Sequence, residues 1–249
     1  MPGPFNAVFT QRTGGQSKGF FDSLNMALHV GDDPRRVRAN RQSVLNACGL
    51  SGAQPIIAAQ VHGSEVAFVT DDDAGRGNFS HADAMEGVDA LVTCSSAQPL
   101  ISLSADCLLL VLGDPQAKVL AVLHGGWRGL AAGVIHNTVA QMLAVGAKPE
   151  RIFVAGTPAI GPCCFETGHE VAAALNASED CVVNKTADKV WIDLQRVALN
   201  RLKQELIPES QIQLSKACTC CDESLYFSHR RSTRAGEKLT GRMALVAWM

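Results

Sequence analysis

The stretch LISLSADCLLLVLGDPQAKVLAVLHGGWRG, residues 100–129, decides how this chain folds. Two apolar runs, Leu108–Leu112 and Val119–Leu123, flank the turn-forming segment Gly-Asp-Pro-Gln-Ala-Lys, and the pattern predicts a β-hairpin. With the turn centred between Pro115 and Gln116, a symmetric antiparallel register places Val119 opposite Leu112 and His124 opposite Cys107. Directly opposed residues share a face, with Cβ atoms about 4.5–5.5 Å apart. A thiolate and an imidazole at that separation can share one zinc ion or work as a nucleophile and its base. The plainer alternative is that Cys107 is a small buried hydrophobe. The pairing depends on register, because a one-residue slip or a bulge separates the two side chains.

Outward from the hairpin, short apolar runs predict strands at Ile56–Val61, Glu65–Val69, Val88–Thr93, Leu100–Ser104 and Ile152–Ala155, with a closing strand at Arg242–Trp248. A first helix is expected at Pro34–Cys48, capped by Asp33, opened by Pro34 and stopped by Gly49. Further helices are expected at about Leu130–Val145, Glu166–Leu175 and Asp193–Leu206, the last capped by Asp193. Hairpins and crossovers together predict an α/β (α+β) fold with mixed sheets. The polar stretch Asp71–His81 reads as a surface loop, so residues 1–249 are expected to form one domain.

The composition excludes several classes. The 249 residues are 47% hydrophobic and 18% charged, which is a globular balance and argues against disorder. With 22 Lys+Arg against 24 Asp+Glu, the net charge of −2 offers no broad attraction to nucleic acid or an anionic membrane. The longest nearly apolar run, Leu100–Leu112, is too short to span a bilayer and is broken by Ser102, Ser104 and Asp106. No charged start followed by an apolar stretch opens the chain. An odd count of nine Cys suits reduced thiols or metal ligands better than a disulfide framework, so a cytoplasmic protein is expected.

A catalytic zinc site needs a third ligand and an open position. His62 is the best candidate, since it follows the strand Ile-Ile-Ala-Ala-Gln-Val at a turn. In His124-Gly-Gly-Trp-Arg-Gly129, glycines at a strand-to-helix junction permit close backbone approach, and Arg128 adds an anion partner. A tight turn with a surface Arg is the alternative. Arg12-Thr-Gly-Gly15 is a second glycine turn carrying a cation. Asn25, His29 and Asp32 either line a polar pocket or bond their own backbone in turns. Cys218-Thr-Cys220-Cys221 looks like half a zinc site, but no second pair stands at finger spacing. Cys163 and Cys164 are adjacent, which makes joint chelation awkward. Both groups are read as structural thiols. The basic stretch His229–Arg242 is read as a solvated loop, with Arg230 as a phosphate-facing candidate.

Gln60-Val-His62-Gly63, Ser104-Ala-Asp-Cys107, His124-Gly-Gly-Trp-Arg-Gly129 and Pro158-Ala-Ile-Gly-Pro162 occur in order, with Arg12-Thr-Gly-Gly15, Ser23-Leu-Asn25 and Gly31-Asp32 before them. Phe227-Ser-His-Arg-Arg231 and Thr240-Gly-Arg242-Met243 follow. Together they resemble the purine nucleoside phosphorylase family formerly called polyphenol oxidase or multicopper laccase-domain proteins, also known as peptidoglycan editing factor. The resemblance covers nearly the whole chain. It implies a layered α/β/β/α sandwich like that of the cytotoxic necrotizing factor-like hydrolases, and a zinc site of His62, Cys107 and His124. It also implies phosphorolysis of adenosine, inosine, guanosine and methylthioadenosine, with adenosine deamination beside it. Ser104, Gly125 and His229 depart from the family's more usual Thr, Ala and Tyr; Ser104 keeps the hydroxyl and Gly125 costs only backbone freedom, while His229 alters pocket hydrogen bonding and leaves substrate preference open.

On this reading the partners are a purine nucleoside and phosphate, with no nucleic acid and no membrane, and the oligomeric state is open. Catalytic candidates are His62, Cys107, His124 and Asp106. Substrate-binding candidates are Arg12, Asn25, Gln60, Arg128 and Arg230, with Arg12 and Arg128 facing phosphate. One rival is a cysteine hydrolase or amidase acting on peptidoglycan precursors, with Cys107 as nucleophile and His124 as base. A copper polyphenol oxidase is disfavoured on ligand supply, because the seven His contain no His-x-His pair. A metal-stabilised interaction protein is the non-enzymatic reading.

Overall fold

A computed structural model of the chain describes residues 3–249. Met1 and Pro2, which belong to the expected 1–249 domain, lie outside the described residues.

Two mixed sheets pack face to face. One has the order β1 (Asn6–Phe9), β14 (Met243–Trp248), β6 (Leu100–Ser104), β2 (Ile56–Ala59), β4 (Met85–Glu86). The other has the order β13 (Ile212–Leu214), β9 (Phe153–Gly156), β7 (Leu108–Asp114), β8 (Val119–Gly125), β5 (Ala90–Thr93), β3 (Val66–Phe68). A small third sheet joins β10 (Glu166–Thr167), β12 (Val190–Ile192) and β11 (Val182–Lys185). Antiparallel pairs such as β7–β8 coexist with parallel ones such as β2–β6.

The unbroken apolar runs follow from this layering, since a strand covered on both faces needs apolar residues at every position. Side chains alternate across a strand. Thus Leu109, Val111, Leu120 and Val122 point inward, where they meet Ile56, Leu100, Leu245 and Ala247 of the facing sheet. Their neighbours Leu108, Leu110, Leu112, Ala121 and Leu123 point outward, under α2 (Trp127–Ala132), α3 (Val134–Ala144), α4 (His169–Ala174) and α5 (Leu194–Gln204). On the far side Ile57, Ile101, Leu103, Ala244 and Val246 pack against Leu45 of α1 (Pro34–Ala47). The result is the expected helix–sheet–sheet–helix layering. Asp33 and Asp193 cap α1 and α5 by accepting backbone N–H groups.

Several expectations need correction. The hairpin register is shifted by two: His124 pairs with Leu109, not Cys107, and Leu112 pairs with Ala121. The cause is Asp114, which pairs with Val119 as the last strand residue instead of entering the turn. Its carboxylate accepts the N–H groups of Gln116 and Ala117 and meets Arg151 at 2.7 Å. A two-residue shift preserves the face, so Cys107 becomes a diagonal neighbour of His124. The helix expected at Leu130–Val145 starts earlier and is divided by Gly133, whose φ of 90° ends α2. The segment Glu166–Leu175 opens as a strand paired to Val190 and Trp191 before α4 begins. The basic stretch after Ser228 is not a solvated loop at its start: α6 (His229–Arg234) forms there, with the Ser228 hydroxyl accepting the Arg231 N–H.

Candidate metal and active site

Three chain segments converge where the two sheets open at one end. His62 stands just past β2, Cys107 in the crossing from β6 to β7, and His124 near the end of β8. Their ligand atoms lie within 4.8 Å of one another. Cys107 Sγ is 3.9 Å from His62 Nε2, and the two imidazoles meet edge to face with centroids 4.7 Å apart. Zn–S of about 2.3 Å and Zn–N of about 2.05 Å in a tetrahedron separate S and N by about 3.6 Å. The spacing and the donor chemistry therefore fit one divalent ion of borderline softness with a fourth position open.

The backbone is bent to achieve this. His62 has φ 62° and Asp106 has φ 97°, both left-handed conformations that non-glycine residues adopt rarely. Asp89 holds the first bend. Its carboxylate accepts the N–H groups of Val61, His62 and Gly63 at 3.1, 3.0 and 2.7 Å. The same carboxylate contacts His124 Nδ1 at 2.8 Å, leaving Nε2 to face the site. Gly126 is required by proximity: a Cβ there would lie 2.8 Å from His62 Cδ2 and 3.3 Å from Cys107 Sγ.

The electrostatics are those of a coupled cluster. Burial alone would push the Cys107 thiol up, but His124 and His62 outweigh it and hold it at about 6. Burial likewise opposes charge on His124, yet the Cys107 thiolate and Asp89 raise it to about 9. Asp89 is held below the usual carboxylate range: burial works against this, and the His124 contact and the Gly63 N–H override it.

A cavity of about 440 Å³ opens above these three residues. Of the substrate-binding candidates, Gln60, Arg128 and Arg230 line it. Arg128 stacks on Trp127, 4.3 Å from the ring centroid. Arg230 reaches the carbonyls of Cys164 and Glu166. The Gln60 amide continues the β2–β6 pairing, donating to the Leu103 carbonyl and accepting the Leu103 N–H.

Two candidates are placed elsewhere. Arg12 does not line the cavity; its guanidinium donates to the carbonyls of Asp22 and Glu223 and lies 4.9 Å from the Phe227 ring. Asn25 is fully buried, and its amide is used up by Ala27, Asp32 and the Arg242 N–H, so the turn reading fits it. Asp106 does line the cavity, but its carboxylate accepts from Thr219, Ser228 and the Arg230 N–H. It pins the adjacent loops through these three bonds. The sequence reading passed over Asp89 and gave no role to Trp127 and Arg242, both of which line the cavity. For Asp89 the available signal was one carboxylate at the head of an otherwise apolar strand, Asp-Ala-Leu-Val.

The chain matches, over residues 6–249, the family described as multi-copper polyphenol oxidoreductase laccase, and it belongs to that family. The purine nucleoside phosphorylase YlmD of Geobacillus stearothermophilus is 35% identical over 243 residues, covering 95% of this chain and 87% of the relative. The purine nucleoside phosphorylase YfiH of Escherichia coli is 33% identical over 248 residues, covering 98% and 93%. The crystal structure of a hypothetical protein YfiH from Bacillus licheniformis superposes with a TM-score of 0.93 at 30% identity, covering 98% of this chain and 92% of that one. Among the described residues no helix is long and apolar enough to cross a membrane.

Proposed function

We propose that this chain is a zinc-dependent purine nucleoside phosphorylase, acting on adenosine, inosine, guanosine and methylthioadenosine, with adenosine deamination at the same site. The observation that carries the reading is the convergence of His62, Cys107 and His124 at the floor of the Arg128-bearing cavity. The names of the relatives support the substrate class. We assign the whole chain to one domain that acts in the cytoplasm.

His62, Cys107 and His124 would hold the ion, which when bound supplies Lewis-acid chemistry toward an oxygen of phosphate or water. Arg128 has no hydrogen-bond or ion-pair partner among the described residues, so its guanidinium is available to a phosphate dianion. Trp127 and Phe165 offer apolar surface for the purine. In phosphorolysis, a phosphate oxygen forms a bond to the anomeric carbon. The bond from that carbon to the purine nitrogen breaks, and the purine leaves with the electron pair and takes up a proton. In deamination, water adds to the ring carbon bearing the amino group, and ammonia leaves. Asp89 would act through His124, holding its Nδ1 so that Nε2 is left free as a ligand.

The test is ribose 1-phosphate formation from inosine. Zinc-loaded protein is expected to release hypoxanthine only when phosphate is present; a lack of product from zinc-loaded protein overturns the reading. One observation favours a second reading. Cys107, His124 and Asp89 also form the sequence thiol, imidazole, carboxylate, with the thiol held at about 6, which suits a cysteine hydrolase acting on cell-wall precursors. Activity that survives complete zinc removal and is abolished by alkylation would favour that reading instead.

A further inference from the structure

A second cluster of donors lies outside this site. Cys163 and Cys164 stand in the turn between β9 and β10, and Cys218 and Cys221 in the turn after β13. Cys221 Sγ is 3.5 Å from Cys163 Sγ and 3.5 Å from Cys164 Sγ, and all four sulfurs lie within 4.8 Å of one another. The two groups, read from sequence as structural thiols with no partner pair at finger spacing, are brought together by the fold.

Adjacency does not prevent Cys163 and Cys164 from converging. Cys164 and Phe165 both donate their N–H to the Gly161 carbonyl at 2.9 Å, so the backbone coils there as in a helix. Successive side chains then turn by about 100°, rather than alternating to opposite faces as in a strand.

The spacing discriminates among uses of four thiols. A tetrahedral ion with metal–sulfur bonds of about 2.3 Å sets its sulfurs about 3.8 Å apart. A disulfide needs about 2.05 Å and engages only two sulfurs. An iron–sulfur cluster spreads its cysteines over several irons, wider than a single-ion site. In addition, the Gly161 N–H points at Cys218 Sγ at 3.1 Å, a donor that favours the charged form of that sulfur. We propose that Cys163, Cys164, Cys218 and Cys221 form a second, structural zinc site with all four positions filled by thiolate. Binding would release the thiol protons to solvent, and the exposed Cys163 and Cys221 give the ion its entry path.

The position gives the site its role. Among the described residues, the strand-type pairing between the two turns is the isolated bridge Ala159–Cys218, with the Thr219 N–H donating to the Ala159 carbonyl at 3.0 Å. Both turns build the cavity wall: Ile160 and Phe165 line it from one, while Thr219 of the other holds Asp106. An ion at the four sulfurs would clamp these segments and so fix the wall, without touching substrate.

Zinc-loaded, dialysed, full-length protein under reducing conditions is expected to carry two zinc per chain by elemental analysis. Cys107→Ser is expected to carry one, and the Cys218→Ser/Cys221→Ser double variant also one. Cobalt-loaded Cys107→Ser should show the thiolate-to-cobalt charge-transfer absorption of a tetrahedral all-sulfur centre, which the His62/His124 pair alone cannot produce. Cys107→Ser protein without zinc and without that absorption overturns the proposal. So does a double variant that keeps two zinc, or a disulfide among these four cysteines in the reduced, zinc-loaded protein. Should the double variant fail to fold, the Cys107→Ser measurement decides alone.

Discussion

Replacing Asp89 by Asn tests the logic of the site without changing its volume. Asp89 is 2% exposed, and its two carboxylate oxygens receive four donors. One oxygen accepts His62 N–H and faces His124 Nδ1; the other accepts the N–H groups of Val61 and Gly63. An asparagine has one oxygen and one NH₂, so in either orientation two donors confront another donor. Hydrogen bonds to a charged group contribute about 1.5–3 kcal/mol each, so losing two costs about 3–6 kcal/mol before relaxation. At about 2–4 °C per kcal/mol for a chain of this size, even the low end lowers Tm by about 6–12 °C. The ion should also bind about 10–100-fold more weakly, because His124 loses its orienting partner.

The assays are thermal unfolding and zinc competition against a chromogenic chelator. A third readout is the pH dependence of Cys107 alkylation in metal-free protein. Wild-type reactivity should rise through pH of about 6. In Asp89→Asn, His124 is less readily protonated, so the inflection should move upward. The stability signs follow. The depressed Asp89 carboxyl contributes stability above its ordinary value of 3.8, and this is lost as pH falls through the folded value. The raised His124 contributes fully below 6.5, and this is lost as pH rises through about 9. A variant within about 0.5 kcal/mol of wild type, with unchanged zinc affinity and unchanged alkylation profile, would refute the role given to Asp89.

Three further substitutions separate ligand geometry, substrate charge and fold. Gly126→Ala puts a methyl 2.8 Å from His62, so zinc affinity should fall at least tenfold while Tm moves little; equal zinc affinity would show that the ring has room to move. Arg128→Gln should raise the KM for phosphate at least tenfold with a smaller effect on the nucleoside KM, and steady-state kinetics with each substrate varied will show whether it does. Arg12→Gln, by contrast, should leave the phosphate KM within about twofold and lower Tm slightly, because its guanidinium serves carbonyls of Asp22 and Glu223 outside the cavity. A large rise in phosphate KM there would return Arg12 to the site.

Much of this protein is legible in its sequence because the signals are local. Continuous apolar runs mark strands covered on both faces, and Asp33 and Asp193 announce the starts of α1 and α5 from within a few residues. His62, Cys107 and His124 stand at strand ends beside turn residues, and the ordered motifs around them identify the family. Register was not wholly local: besides the N–H groups of Gln116 and Ala117, Asp114 is held by Arg151 and the Lys148 N–H, which lie far along the chain. The same limit hid Asp89, whose four donors come from two other segments. It misplaced Arg12 and Asn25, whose polar atoms are taken up by the fold itself. It also hid the four-sulfur cluster, which exists only because the turns at 161–165 and 218–221 meet. Spacing along a chain encodes which residues share a helix face or a strand, whereas contact between turns is set by the packing of whole layers.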